Sequence, residues 1–176
     1  ACEKCEQWQK GLSLLDELRE SKLEPDVISY NSAISACSAG GKWQQALLLL
    51  SGMCNAIVEP TIVSYNAQIR ACEKSGEWQQ ALLLLGELPV ATILPDVITY
   101  NSGISTCRKG SQWQLALALI SIMGEEEVEP DIISYSSGVS VCEISGEWQQ
   151  ALFLLARLQE ATLEPNVISC TAGISA

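Results

Sequence analysis

Eight cysteines and no histidine set the chemistry open to this chain. Cys2-Glu3-Lys4-Cys5 has the C-x-x-C spacing that brings two thiolates onto one metal ion or into one redox pair. A tetrahedral zinc site needs two more ligands, and the sequence has neither a second C-x-x-C nor a histidine to supply them. The missing imidazole also removes the commonest general base, so the residues point away from catalysis and toward a chain that binds without metal or cofactor. The remaining cysteines are read from their spacing. Cys2, Cys37, Cys72, Cys107 and Cys142 step by 35 residues, and Cys5 stands where later segments have Gly40, Ser75, Gly110 or Ser145. The C-x-x-C is therefore a repeat cysteine followed by a turn residue.

The same step governs the whole chain. Pro25, Pro60, Pro95, Pro130 and Pro165 keep it, as do Trp8, Trp43, Trp78, Trp113 and Trp148, and Tyr30, Tyr65, Tyr100 and Tyr135. SGEWQQALLLL at 75–85 returns as SGEWQQALFLL at 145–155. Such self-similarity marks a repeat array, in which each unit stacks on its neighbours because it cannot bury its apolar face alone.

Within one unit, Pro25 stops the preceding segment, Ser29 is placed to cap a first helix, and Gly40-Gly41 ends it. Tyr30, Ala33, Ile34 and Cys37 then fall at i, i+3, i+4 and i+7, one apolar face. A second helix is expected over 42–54, with Trp43, Ala46, Leu47 and Leu50 on its own stripe and the tryptophans as core anchors. Each unit is thus a helical hairpin, ten helices or fragments of them in all. The fold class is all-α, an α-solenoid of stacked 35-residue hairpins in a right-handed superhelix, with the first helices on the concave side. Helices packed about 8–10 Å apart hold successive core cysteines beyond the ~7 Å that a disulfide spans, so these thiols are expected reduced.

Composition bounds the partners. Ten Lys and Arg against 21 Asp and Glu give a net charge of −11, which excludes a nucleic-acid binder held by bulk charge. The charge is sorted, however. First-helix segments carry Lys4, Arg70, Lys74, Arg108 and Lys109 against Glu3, Glu73 and Glu143, and the acidic excess lies elsewhere. The apolar runs reach six residues, far short of the ~20 that cross a bilayer.

The 35-residue period, the VISYN opening, the Gly after the first helix, the Ala-Leu pair in the second and the closing Pro-Asp together resemble the pentatricopeptide repeat family. The resemblance covers the chain as a single array over 1–176: a partial unit 1–26, complete units 27–61, 62–96, 97–131 and 132–166, and a partial unit 167–176. The ragged ends suggest a window from a longer protein. The family implies single-stranded RNA binding in an organelle, chloroplast or mitochondrion, with one base read per repeat. By that correspondence the base-reading pairs are Asn31 with Thr61, Asn66 with Asp96, Asn101 with Asp131, and Ser136 with Asn166, which together imply a pyrimidine, U, U and A. The implied base clamps are Ile28, Val63, Ile98, Ile133 and Ile168, and the implied phosphate contacts are Lys4, Arg70, Lys74, Arg108 and Lys109. Asp96 and Asp131 also suit the N-cap of the following helix.

Two departures keep a protein-interaction scaffold open as the alternative, an accessory subunit of a larger organellar or membrane-associated complex. The body is acidic, and Leu48, Leu83 and Phe153 occupy a second-helix position where the family usually has charge. Either these three are exposed and offer a protein contact, or neighbouring side chains bury them.

Overall fold

The computed structural model of the chain describes residues 2–21 and 23–161, and every regular element among them is an α-helix. In order these are α1 (Cys2–Glu20), α2 (Val27–Ala39), α3 (Trp43–Asn55), α4 (Ile62–Ser75), α5 (Trp78–Val90), α6 (Val97–Cys107), α7 (Trp113–Glu125), α8 (Ile132–Ser145) and α9 (Trp148–Glu160). They build an all-α helical-repeat solenoid fold and divide into two compact units, Ala1–Leu94 and Pro95–Ala176. No described helix is long and apolar enough to cross a membrane. Asn166, Ile168 and the partial unit 167–176 lie outside the described residues.

Each first helix begins just after a proline. Asp26, Thr61, Asp96 and Asp131 follow Pro25, Pro60, Pro95 and Pro130, keep extended backbone, and form the N-caps of α2, α4, α6 and α8. The cap expected at Ser29 thus sits three residues earlier. Asp26 Oδ1 accepts the Ser29 N–H at 2.9 Å and the Ser29 hydroxyl at 2.7 Å. A carboxylate at this place takes an orphan N–H and faces the positive end of the helix dipole, which outweighs what the Ser29 hydroxyl offers. The Ser29 hydroxyl, and then its N–H, hold the Asp26 carboxyl below its ordinary value.

A short turn joins the helices of a pair. The N–H groups of Lys42, Glu77, Gln112 and Glu147 donate back to the carbonyls of Cys37, Cys72, Cys107 and Cys142 at 2.9, 3.0, 3.0 and 2.9 Å. That closure requires one residue in the left-handed region, which is Gly41 (φ 64°), Gly76 (φ 85°), Gly146 (φ 72°) and, in the third case, Ser111 (φ 51°). Glu6 has the equivalent place in the first unit, and with no glycine there α1 runs through as a single 19-residue helix. The ten expected helices are therefore nine among the described residues. A matching closure follows α3, α5 and α7, where Val58, Ile93 and Val128 donate to Met53, Leu88 and Met123 at 2.9, 2.9 and 2.8 Å. Here the left-handed residues are Ile57 (φ 56°), Thr92 (φ 59°) and Glu127 (φ 58°), and at Ile57 and Thr92 a β-branched side chain stands in a conformation that clashes with its own backbone.

The first-helix face is buried as its spacing requires: Tyr30, Ala33, Ile34 and Cys37 on α2, Tyr65, Ile69 and Cys72 on α4, Tyr100, Ile104 and Cys107 on α6, Tyr135, Val139 and Cys142 on α8. In the first unit α2 packs on α1, α3 and α4, and α4 on α3 and α5. In the second, α6 packs on α7 and α8, and α8 on α7 and α9. At Gly138 the fit is close enough that a Cβ would stand 2.8 Å from Ile120 Cδ1 and 2.9 Å from Leu154 Cδ1. Second helices bury Ala46, Leu50 and Met53 and their counterparts in α5 and α7, while Leu47 is only half-buried. The tryptophans are not core anchors. Trp8, Trp43, Trp78 and Trp113 are half-buried and Trp148 is 54% exposed. Each later one opens its helix, with no preceding turn to cover the ring, and Trp8 lies against the turn at Gly40, 3.0 Å from where a Cβ would be.

Cys37, Cys72, Cys107 and Cys142 are free and buried, as small core residues, whereas Cys54 is exposed. Burial first of all pushes the thiols of Cys72, Cys107 and Cys142 up from 9.0 to about 11. Brief alkylation of the native chain at pH 8, read by peptide mass spectrometry, should therefore modify Cys54 well before these three. Equal labelling would show that the core is open. The strained turn gives a second expectation. Ile57 is 93% exposed, so Ile57→Gly loses almost no burial and should raise stability by about 0.5–1 kcal/mol in thermal melting. A lower melting midpoint would show that the left-handed backbone carries no strain.

Candidate nucleic-acid interface

One face of the first helices is left uncovered. On α6, Ile98, Asn101, Ser105 and Arg108 recur at i, i+3, i+7 and i+10, so they share a face distinct from that of Tyr100, Ile104 and Cys107. The expected clamps are exposed aliphatics with no share in the core: Ile28 73%, Val63 57%, Ile98 58% and Ile133 58%. Arg70, Lys74, Arg108 and Lys109 are exposed as well. Lys74 reaches across one repeat, where its ammonium donates to the Ala39 carbonyl at 3.4 Å, at the negative end of α2. Lys4 lies on α1, and its side chain is outside the described residues.

Two of the four expected reading pairs are joined by hydrogen bonds within a unit. Asn101 Nδ2 donates to Asp131 Oδ1 at 3.0 Å. That oxygen also accepts the Ser134 N–H at 2.9 Å, the cap bond of α8. Asn31 Nδ2 makes the corresponding contact with Thr61 Oγ1 at 3.5 Å. Asp96 caps α6 by accepting the Thr99 N–H at 2.8 Å and the Thr99 hydroxyl at 2.7 Å, and Asn66 is a half-buried residue of α4. In the fourth pair Asn166 lies outside the described residues, and the Ser136 hydroxyl turns back onto its own helix, donating to the Ile132 carbonyl at 2.6 Å.

At Thr61 and Asp131 the last residue of a repeat is thus both the cap of the next helix and the partner of the asparagine at the fifth position of its own repeat. On the Asn101–Asp131 pair, one amide N–H and Asp131 Oδ2 take no hydrogen bond from a described residue. A donor and an acceptor therefore stand side by side between exposed aliphatic side chains, a pattern that complements the edge of a nucleobase.

Sequence reasoning gave the third position of a repeat only a capping role, at Ser29. The Ser64 hydroxyl donates to Asn31 Oδ1 at 2.6 Å, and the Ser134 hydroxyl to Asn101 Oδ1 at 2.6 Å. The signal was in the sequence: Ser29, Ser64, Thr99 and Ser134 keep a hydroxyl at the 35-residue step. On the other side of the hairpin, the open question about the second helices is answered, because Leu48, Leu83 and Phe153 are 73%, 60% and 53% exposed.

Comparison with protein-family models matches residues 13–75 to a pentatricopeptide repeat domain and residues 60–109 to the PPR repeat family, together more than half of the chain. Among solved structures, the pentatricopeptide repeat protein PPR10 in complex with an 18-nt psaJ RNA element matches with a TM-score of 0.80 at 25% identity, over 96% of this chain. PPR10 from maize matches with a TM-score of 0.73 at 26% identity, again over 96% of this chain. This chain spans 25% and 24% of those two. The PPR domain of Arabidopsis thaliana protein-only RNase P 1, solved in complex with tRNA, has the same fold, with a TM-score of 0.80 at 16% identity over 93% of this chain and 86% of that one. A search of the curated proteins found no match.

Proposed function

Because the chain belongs to the pentatricopeptide repeat family, we propose that it is a non-enzymatic module for sequence-selective binding of single-stranded RNA in an organelle. The observation that carries the reading is the Asn101–Asp131 pair, hydrogen-bonded at 3.0 Å and flanked by the exposed Ile98 and Ile133. Base edges are read there, and aliphatic side chains hold the bases. That PPR10 was solved with an RNA element adds support. The units 27–61, 62–96, 97–131 and 132–166 take one nucleotide each, in the order pyrimidine, U, U, A.

An Asp carboxylate accepts the N3–H of uracil, which cytosine lacks. Asn caps helices about as well as Asp, so Asp131→Asn should fold normally and lose only the acceptor. In binding titrations the unaltered chain should prefer RNA containing YUUA, and Asp131→Asn should reduce its preference for U over C at the third base about tenfold. Equal affinity for scrambled RNA before and after the exchange would overturn direct readout. Affinity should fall with salt at a slope of roughly −0.7 per phosphate neutralised.

A second reading, a protein-interaction scaffold, is favoured by one observation: Leu48, Leu83 and Phe153 are large, apolar and more than half exposed. Their exposure on an acidic body suits a basic, amphipathic partner. Replacing all three with Glu should change stability by no more than about 0.5 kcal/mol per site in thermal melting. If the variant keeps its RNA affinity and loses a protein that the unaltered chain retains, the scaffold reading stands. An unchanged partner set removes it.

A further inference from the structure

The third-position hydroxyl sits behind the reading pair, and its geometry fixes what the pair presents. In the first unit the atoms form a ring. Asn31 Nδ2 donates to Thr61 Oγ1 at 3.5 Å, the Thr61 and Ser64 hydroxyls are 3.4 Å apart, and the Ser64 hydroxyl donates to Asn31 Oδ1 at 2.6 Å. Ser64 Oγ also accepts the Thr61 N–H at 3.1 Å. A separation of 2.6 Å belongs to O–H···O and is too short for N–H···O, so the amide oxygen faces Ser64 and the amide nitrogen faces Thr61. Ser64 has one proton, which goes to Asn31, so across their 3.4 Å contact Thr61 is the hydroxyl left able to donate. The base then meets one N–H from Asn31 beside a lone pair of Thr61.

In the second unit the ring has the same layout, but its carboxylate only accepts, so the single Ser134 proton faces two oxygens and goes to the nearer, on Asn101. The Ser134 hydroxyl stands 2.6 Å from Asn101 Oδ1 and 3.0 Å from Asp131 Oδ1, and Ser134 Oγ accepts the Asp131 N–H at 3.1 Å. Here orientation has a second guarantor, because a flipped amide would set its oxygen against the carboxylate, acceptor against acceptor. Thr61 has no such veto, since a hydroxyl accepts or donates.

We propose that the buried third-position hydroxyls, Ser64 above all, are specificity-determining positioning residues: each locks the amide of the preceding repeat's fifth residue so that it offers nitrogen and not oxygen to the base. The proposal rests on the RNA reading above. Released by loss of Ser64, the Asn31 amide can turn over and place its oxygen beside that of Thr61. Two adjacent acceptors repel the carbonyls of a pyrimidine and match one base, guanine, whose N1–H and N2–H are adjacent donors. The released module therefore drifts toward G.

The test uses the 176-residue chain and four RNAs, NUUA with N as U, C, A or G, in fluorescence titrations. Ser64→Ala should lower the preference for pyrimidine over G at the first base about fivefold, the worth of one hydrogen bond. Ser134→Ala should lower discrimination at the third base by no more than about twofold, because Asp131 still orients Asn101. Ser64→Thr should restore selectivity, since Thr99 occupies the same position in the next repeat. Ser29→Ala separates reading from folding: its hydroxyl donates to its own cap, Asp26, at 2.7 Å, and to no asparagine. That variant should soften the melt as Ser64→Ala does and leave base preference unchanged. If the unaltered chain shows no preference among the four RNAs, the RNA reading fails and this proposal with it. If it shows a preference that Ser64→Ala retains, the proposal alone is overturned. A loss spread evenly over the four bases, or matched by Ser29→Ala, reduces Ser64 to a cap residue and also overturns it.

Discussion

The rest of the molecule depends on one side chain per repeat, the residue just after the proline. Proline blocks continuation of the preceding segment, and the residue after it must therefore satisfy the orphan N–H groups of a new helix. Asp131 does so through Oδ1, at 2.9 Å from the Ser134 N–H. The same oxygen is 3.0 Å from Asn101 Nδ2, on the first helix of the preceding hairpin. Helix initiation and repeat-to-repeat registration are in this way a single interaction, and the stacking of hairpins is tied to the geometry of the reading pair. A repeat that slipped on its neighbour would lose the amide contact together with the packing of Tyr100 and Tyr135.

Short turns are the second constraint. With the carbonyls of Cys37, Cys72, Cys107 and Cys142 taken up by the N–H five residues on, only three residues separate α2 from α3, and the helices are forced back to back. Antiparallel helices at that spacing leave room for a small residue at the centre of the seam. Ala and Cys fill it, and Gly138 marks a point where even a methyl would collide. Cysteine at such a place acts as a small hydrophobe, and burial keeps it protonated.

Much of this was legible in the sequence because periodicity reports burial directly. The i, i+3, i+4, i+7 face from Tyr30 to Cys37 is buried residue for residue. What escaped were features decided between segments. Asp26 and Ser29 are both cap-forming types, and only the backbone after Pro25 decides that the aspartate is outside the helix and the serine already within it. The merged α1 reflects one missing glycine at Glu6, a residue that no pattern of apolar spacing would single out. Trp148 looked like a core anchor because tryptophan is large, yet position at a helix start governs how much of a ring can be covered. Ser64 and Ser134 act on residues 33 positions earlier, a relation that exists only once repeats are stacked.

Electrostatics then assigns the work among these parts. If the chain binds RNA as proposed, its net charge of −11 means that no long-range field draws the anion, and the described cations Arg70, Lys74, Arg108 and Lys109 are few for phosphate contacts. On that proposal, affinity lost on the backbone has to be recovered at the bases. Ordering side chains at the moment of binding would cost about 0.5–1.5 kcal/mol each, and the rings around Asn31 and Asn101 remove much of that cost because their amides are oriented before any base arrives. A base bound as proposed would then meet a donor and an acceptor already aimed, between aliphatic side chains already exposed. On that proposal, weak charge and a pre-oriented amide are complementary: the lack of bulk attraction would suppress non-specific binding, and rigid hydrogen-bonding edges would leave discrimination to the base.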